Sequence, residues 1–233
     1  SASAAPSAVA PVFVAPADMK LIAAGSAKLG EGPTARDVTI SRPFYIDPTE
    51  VTVAQYRQCT ACPVANAVVL PADGDAFIKS LLAAAAAPNN GEAPPDEDGP
   101  FDPKAYAQAW TPKCNDLRGA EDHPMNCVTF AAAEAYCAYR GRRLPTEAEW
   151  NYAAAGGNQQ REYPWSNPPN SQTIDNTYAI YAVAPIQFVG SKSPKGDGKW
   201  GHADLAGSMW EWTLDWHKSS YTNPCVNCAN VAN

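Results

Sequence analysis

Three sets of side chains in this 233-residue chain have types that could do chemistry: the acids Asp204 and Glu211, three histidines and seven cysteines. The string Asp204-Leu-Ala-Gly-Ser-Met-Trp-Glu-Trp sets two carboxylates seven positions apart with Gly207 between them. On a helix they would stand about two turns apart, too far to share an ion. On an irregular loop turning at Gly207 they could converge, and carbonyls of the turn would complete an oxygen cage suited to Ca²⁺. On spacing alone, two solvated loop acids remain the better reading. His123, His202 and His217 form no His-x3-His or His-Glu-x2-His pair, which argues against an iron or zinc enzyme built on a helical histidine pair. His123 precedes a proline and reads as a surface-loop residue. No Gly-x-Ser-x-Gly elbow or Walker-type loop occurs, and Lys195-Gly-Asp-Gly-Lys reads as a turn without the strand–loop–helix context of a phosphate cradle.

The cysteines are Cys59, Cys62, Cys114, Cys127, Cys137, Cys225 and Cys228. So many in a chain of this size point to disulfides formed in an oxidising, extracytoplasmic compartment. The odd count leaves one thiol free or paired outside the chain. The alternative is one four-thiolate zinc site made from the two Cys-x-x-Cys pairs, but those lie roughly 160 residues apart, far from ribbon spacing. Connectivity is not legible at this level.

Net charge is −7 and the 17 Lys and Arg are scattered, so a phosphate backbone would be repelled and nucleic acid is excluded as a partner. The acidic balance favours cations. No apolar run approaches the ~20 residues of a membrane span; the longest covers residues 81–87. No basic n-region with an apolar h-region is present, so a signal peptide is absent or already removed. A composition of 45% hydrophobic and 18% charged residues is that of a globular chain.

Residues 1–17 are uncharged Ser, Ala, Pro and Val with one Phe, and read as a linker or processed tail, with the domain over 18–233. Residues 19–23 and 37–40 are strand-like, with Gly25, Gly30 and Gly32-Pro33 as turn signals between them. Phe44-Tyr-Ile leads to Thr52, a good N-cap for a helix through Gln58. Residues 73–87 predict a helix and 89–103 an acidic, Pro- and Gly-rich loop. Thr129 caps a helix ending before Gly141, and Thr146 with Glu149 has the capping-box spacing of a second. From Gly157 onward the sequence lacks helical period, predicting long ordered loops around short strands. Trp200, Trp210, Trp212 and Trp216 read as core anchors for those loops.

Several of these strings together resemble the sulfatase-modifying-factor family, typified by the formylglycine-generating enzyme. They are Phe44-Tyr-Ile-Asp-Pro-Thr-Glu-Val-Thr-Val-Ala-Gln-Tyr, Cys127-Val-Thr-Phe, Gly141-Arg-Arg-Leu-Pro-Thr-Glu-Ala-Glu-Trp-Asn-Tyr-Ala, Tyr163-Pro-Trp-Ser and Gly207-Ser-Met-Trp-Glu-Trp-Thr-Leu-Asp-Trp. The resemblance implies an α+β, C-type-lectin-like fold with little regular secondary structure. It also implies Ca²⁺ held by the side chains of Asp204 and Glu211 and the carbonyls of Gly207 and Met209, which reverses the reading from spacing alone. A second family calcium site would use Asn176, but residues 177–188 contain no acid to complete it.

Family enzymes use copper and O₂ to oxidise a sulfatase cysteine to formylglycine, with copper on two cysteines after an Arg-Gly-Gly-Ser stretch. The sequence reaches Asn233 without that stretch, and Cys225 and Cys228 have neither its spacing nor its context. Cys137 matches a family cysteine whose partner lies in the same missing part. The resemblance therefore implies either a calcium-stabilised, non-catalytic binding or scaffold module for a protein or peptide, or an oxidase acting on a sulfatase-type peptide with its copper cysteines outside this chain. The related iron-dependent sulfoxide synthases need a His-rich iron site that this sequence lacks.

Overall fold

The computed structural model describes residues 16–30, 35–63, 113–181, 185–216 and 222–231. The expected linker up to residue 15, the turn at Gly32-Pro33, the helix over 73–87, the loop over 89–103 and His217 lie outside those residues.

β1 (Lys20–Ile22) runs antiparallel to β4 (Phe44–Ile46). β2 (Gly25–Leu29) is antiparallel to β3 (Arg36–Ile40), and β5 (Cys225–Val226) adds in parallel to the other edge of β3. β3 buries Arg36, Val38 and Ile40 while Asp37 stays exposed, the period-2 pattern of a strand with one face on the core. That face packs with Ile22, Leu29, Ala148, Tyr152, Ala153 and Cys225.

One turn signal proved to be a strand residue. Gly25 begins β2, and its missing side chain serves close packing: a Cβ there would lie 2.5 Å from the Tyr152 hydroxyl.

Three helices follow. α1 (Val53–Tyr56) has the Thr52 cap with a full capping box to Gln55, but stops at Arg57 instead of continuing to Gln58. α2 (Phe130–Tyr139) is capped by Thr129, whose hydroxyl accepts from Ala132 N. α3 (Glu147–Ala154) carries the Thr146–Glu149 capping box. Asp215, arriving from the far end of the chain, also accepts from Glu147 N at 2.8 Å, placing negative charge where the helix dipole favours it. Tyr56 of α1 stacks on Tyr136 of α2 with ring centroids 5.3 Å apart, over a second small core that includes Cys59. The rest of the described chain after α3 is loop apart from one short 3₁₀ turn and β5, as the lost helical period implies. The result is an α+β fold of low regularity.

All seven cysteines are described. Cys59–Cys62, Cys114–Cys127 and Cys225–Cys228 are disulfides, and Cys137 is free. Each Cys-x-x-Cys pair closes on itself, which removes the shared zinc site. Burial, followed by the nearby charge of Asp47, pushes the Cys137 thiol up to about 11. It is held protonated and unreactive at neutral pH.

Candidate metal site on the 204–211 loop

Three segments meet at the predicted loop. Ala203 N donates to Pro48 O at 2.9 Å, tying the start of the loop to the stretch before α1. Ser208 N donates to Ile180 O at 2.8 Å and pins the turn. Leu214 N donates to Pro145 O at 2.8 Å, drawing the following segment along α3. The turn itself uses positive φ at Asp204 (58°), Gly207 (85°) and Ser208 (57°). Gly207 is required here, because a Cβ would fall 2.2 Å from Ile180 O.

These ties bring Asp204 and Glu211 together, and with them a third carboxylate that the sequence reading did not single out, Glu50. Both Glu50 carboxyl oxygens are closed off from solvent and neither has a hydrogen-bond partner. Burial first, then the charge of Asp204, and more weakly that of Glu211, raise its pKa to about 8. Ser208 lies close enough to ease the charge, yet its contact falls short of hydrogen-bond geometry. Burial and Asp204 likewise raise Glu211 to about 7, with the Trp150 indole opposing. Glu211 as a whole residue is exposed to solvent. No Lys or Arg is among the main influences on either group.

Asp204 Oδ2 accepts from Gly190 N at 2.5 Å. Gly207 and Met209 lie on the same turn, and among the described residues no donor is bonded to either carbonyl. Hard oxygens with unbalanced negative charge are the donor set of a Ca²⁺ site. The grouping is loose, however: among the described residues no three Asp, Glu, His or Cys side chains stand at metal-ligating separation. The sequence signal for Glu50 was an acid set beside Val51 and Val53 in a segment leading into the fold, where a carboxylate has no reason to be unless something pairs with it.

The neighbouring tryptophans depart from expectation. Trp200 is half-buried and stacks on Tyr152 with centroids 5.9 Å apart. Trp210, Trp212 and Trp216, in contrast, are 83%, 49% and 53% exposed. The even positions carry the indoles, while Glu211 and Asp215 between them serve the carboxylate group and the α3 N-terminus. Trp212 still donates from Nε1 to Val128 O at 2.9 Å and meets Phe130 edge-on. Where the resemblance would place a second calcium ion, Asn176 is exposed, and the neighbouring Thr177 hydroxyl instead accepts from Lys195 Nζ.

His123 is a half-buried loop residue whose Nδ1 is 2.7 Å from Asp122 Oδ1. His202, to which its sequence context assigned no role, is fully buried at 1% exposure. Neither ring nitrogen has a hydrogen-bond partner, although backbone of Ile46 and Lys20 lies near enough to favour the charged ring somewhat. Burial dominates and lowers its pKa from 6.5 to about 4. A depressed folded pKa means that the unfolded chain binds the proton first. The stability is intact above about pH 6.5 and is lost as pH falls towards 4. The loss reaches about 3 kcal/mol. A His202→Leu variant should lose this acid-side slope in urea titrations run between these limits; an unchanged slope would show that another group controls acid unfolding.

Residues 6–232 match the Sulfatase-modifying factor enzyme 1-like domain, and the chain belongs to that family. It is 31% identical over 219 residues to the formylglycine-generating enzyme of Streptomyces coelicolor, covering 82% of this chain and 63% of that protein. It is also 31% identical over 196 residues to the inactive C-alpha-formylglycine-generating enzyme 2 of Mus musculus, covering 79% of this chain and 61% of the relative. The chain thus spans less than two thirds of the length of these relatives. Among solved structures, PvdO from Pseudomonas aeruginosa superposes with a TM-score of 0.51 at 18% identity, over 91% of this chain and 78% of that one. This likeness shows the fold.

Proposed function

We propose that this chain is a calcium-stabilised, non-catalytic binding or scaffold module of a lectin-like kind, working outside the cytoplasm and presenting its loops to a protein or peptide. The observation that carries the calcium reading is the Glu50 carboxylate, buried, without a hydrogen-bond partner and raised by Asp204 and Glu211. In metal-free form this arrangement costs stability. A divalent cation offsets it, with Asp204, Glu211 and Glu50 supplying side-chain oxygens and Gly207 and Met209 carbonyls. The ion would supply charge neutralisation and hold the loop, with no redox role. Three disulfides support the oxidising compartment. Among the described residues no helix is long and apolar enough to cross a membrane.

The non-catalytic half of the reading rests on the cysteines. A copper site of the family type needs two thiolates, and here six of the seven cysteines are in disulfides while Cys137 is alone. The residues present do not fit copper. The second reading, a copper/O₂ oxidase whose ligands lie beyond this stretch, is favoured by the similarity to an active formylglycine-generating enzyme.

Two assays separate the readings. Ca²⁺ should raise the melting temperature and EDTA lower it, with Glu211→Ala abolishing the shift; no shift in the parent protein would end the calcium reading. Incubation with Cu⁺, O₂ and a Cys-x-Pro-x-Arg peptide should leave the cysteine intact by mass spectrometry. Conversion to the aldehyde would instead establish the oxidase.

A further inference from the structure

We propose that the Cys225–Cys228 disulfide is a thiol-sensitive clasp that fixes segment 210–216, and with it Glu211, against the body of the protein. The stretch 222–231 is stitched to the fold on two sides. On one side, β5 pairs with Val38 and Thr39 of β3. Asp37 N donates to Asn223 Oδ1 at 3.0 Å, Ser41 N to Asn227 Oδ1 at 2.8 Å, and Asn227 N to Thr39 O at 2.9 Å. On the other side, Asn230 grips the tryptophan-bearing segment. Trp216 N donates to Asn230 O at 2.8 Å, Asn230 Nδ2 returns a bond to Trp216 O at 2.7 Å, and Asn230 N donates to Asp215 Oδ1 at 2.6 Å. The other oxygen of Asp215 holds Glu147 N at the start of α3. The disulfide lies between the two sets of bonds and sets how the chain passes from one to the other.

Its position makes it openable. Cys225 is fully buried in the main core, whereas Cys228 is only partly so. A thiolate of a small dithiol or a protein dithiol can attack Cys228 Sγ. The S–S bond breaks, Cys225 leaves and takes a proton, and a mixed disulfide forms. The second thiol of the reductant then closes its own disulfide and frees Cys228 as a thiol, so two electrons and two protons pass to the protein. The bridge spans a sequence separation of 3, against 13 for Cys114–Cys127. A shorter loop removes less entropy from the unfolded chain, so opening this clasp costs the fold less overall stability than opening Cys114–Cys127 would.

Amide hydrogen exchange in EDTA tests the clasp without any appeal to calcium. Replacing both cysteines (Cys225→Ser, Cys228→Ser) should speed exchange at Trp216 and Glu147 by about tenfold, and dithiothreitol should do the same to the parent protein. Asn230→Ala, which removes only the Nδ2–Trp216 O bond and keeps both backbone bonds of residue 230 and the disulfide, should speed exchange by less than the double cysteine variant; Cys59→Ser with Cys62→Ser should leave both amides protected. Unchanged protection after dithiothreitol, or equal loosening from the Cys59/Cys62 variant, overturns the proposal. Weaker Ca²⁺ binding by the opened form is a consequence that rests on the calcium reading. If the intact protein binds no Ca²⁺, that reading fails while exchange still decides the clasp.

Discussion

Glu50→Gln should raise the melting temperature of the calcium-free protein at pH 8 and remove the further rise expected from Ca²⁺ in the parent. The two halves of this result have one cause. The Glu50 carboxyl prefers its proton in the folded state, with a pKa of about 8 against 4.5 for the free side chain. A raised folded pKa contributes stability that is fully present below the unfolded value, and is lost as pH rises through the folded value. For Glu50 the window runs from about pH 4.5 to 8. The loss is of order 3 kcal/mol once some relaxation around the charge is allowed. Glutamine keeps the shape and removes the charge, so the parent's decline over this window flattens in the variant. It also removes a carboxylate from the proposed ligand set, so any response to Ca²⁺ should fall with it. A merely structural glutamate would behave differently: its replacement would lower the melting temperature and leave any calcium response in place. Thermal unfolding at pH 5 and pH 8, each with EDTA and with excess Ca²⁺, provides the readout. A variant less stable than the parent at pH 8 in EDTA would sink the assignment of Glu50.

The strained, crowded acid that carries this result shows where sequence reading stops. Local signals were legible. Thr129 and Thr146 mark their helices because hydroxyl caps act within one turn, and β3 alternates because its own pleat faces the core. Asp204 and Glu211 were singled out as a pair through a family resemblance, since spacing cannot say which way a loop turns. Glu50 was not seen as part of the site because its neighbours lie more than 150 positions away and are delivered by backbone ties such as Ala203 to Pro48. The tryptophans were misplaced for a related reason. An indole is normally worth burying, but segment 210–216 is tied to the body through Leu214 N, Asp215 and Trp216 N, by bonds to Pro145, Glu147 and Asn230 that seat no indole.

Gly207→Ala should be far more damaging than Gly141→Ala, although both glycines have positive φ, 85° and 67°. An alanine in this region costs roughly 1–2 kcal/mol of backbone strain, and at Gly141 that is the whole effect, because a Cβ there meets nothing within 4 Å. At Gly207 the same strain is joined by a Cβ placed 2.2 Å from Ile180 O. That oxygen belongs to the backbone and already accepts from Ser208 N, so it cannot swing aside as a side chain would. Relief requires the turn to lift off residue 180, at a further cost of about 1–3 kcal/mol. Lifting the turn also separates Asp204 from Glu211, because Gly207 sits between them and Asp204 is held from the other side by Gly190 N. The expected loss for Gly207→Ala is therefore about 2–5 kcal/mol, together with loss of any Ca²⁺-dependent rise. Gly141→Ala should show a small loss with the calcium response intact. Urea unfolding of both variants with and without Ca²⁺ separates the outcomes. If Gly207→Ala kept a full calcium response at reduced stability, the turn would be a packing element, and the cation's oxygens would have to be sought elsewhere around Glu50.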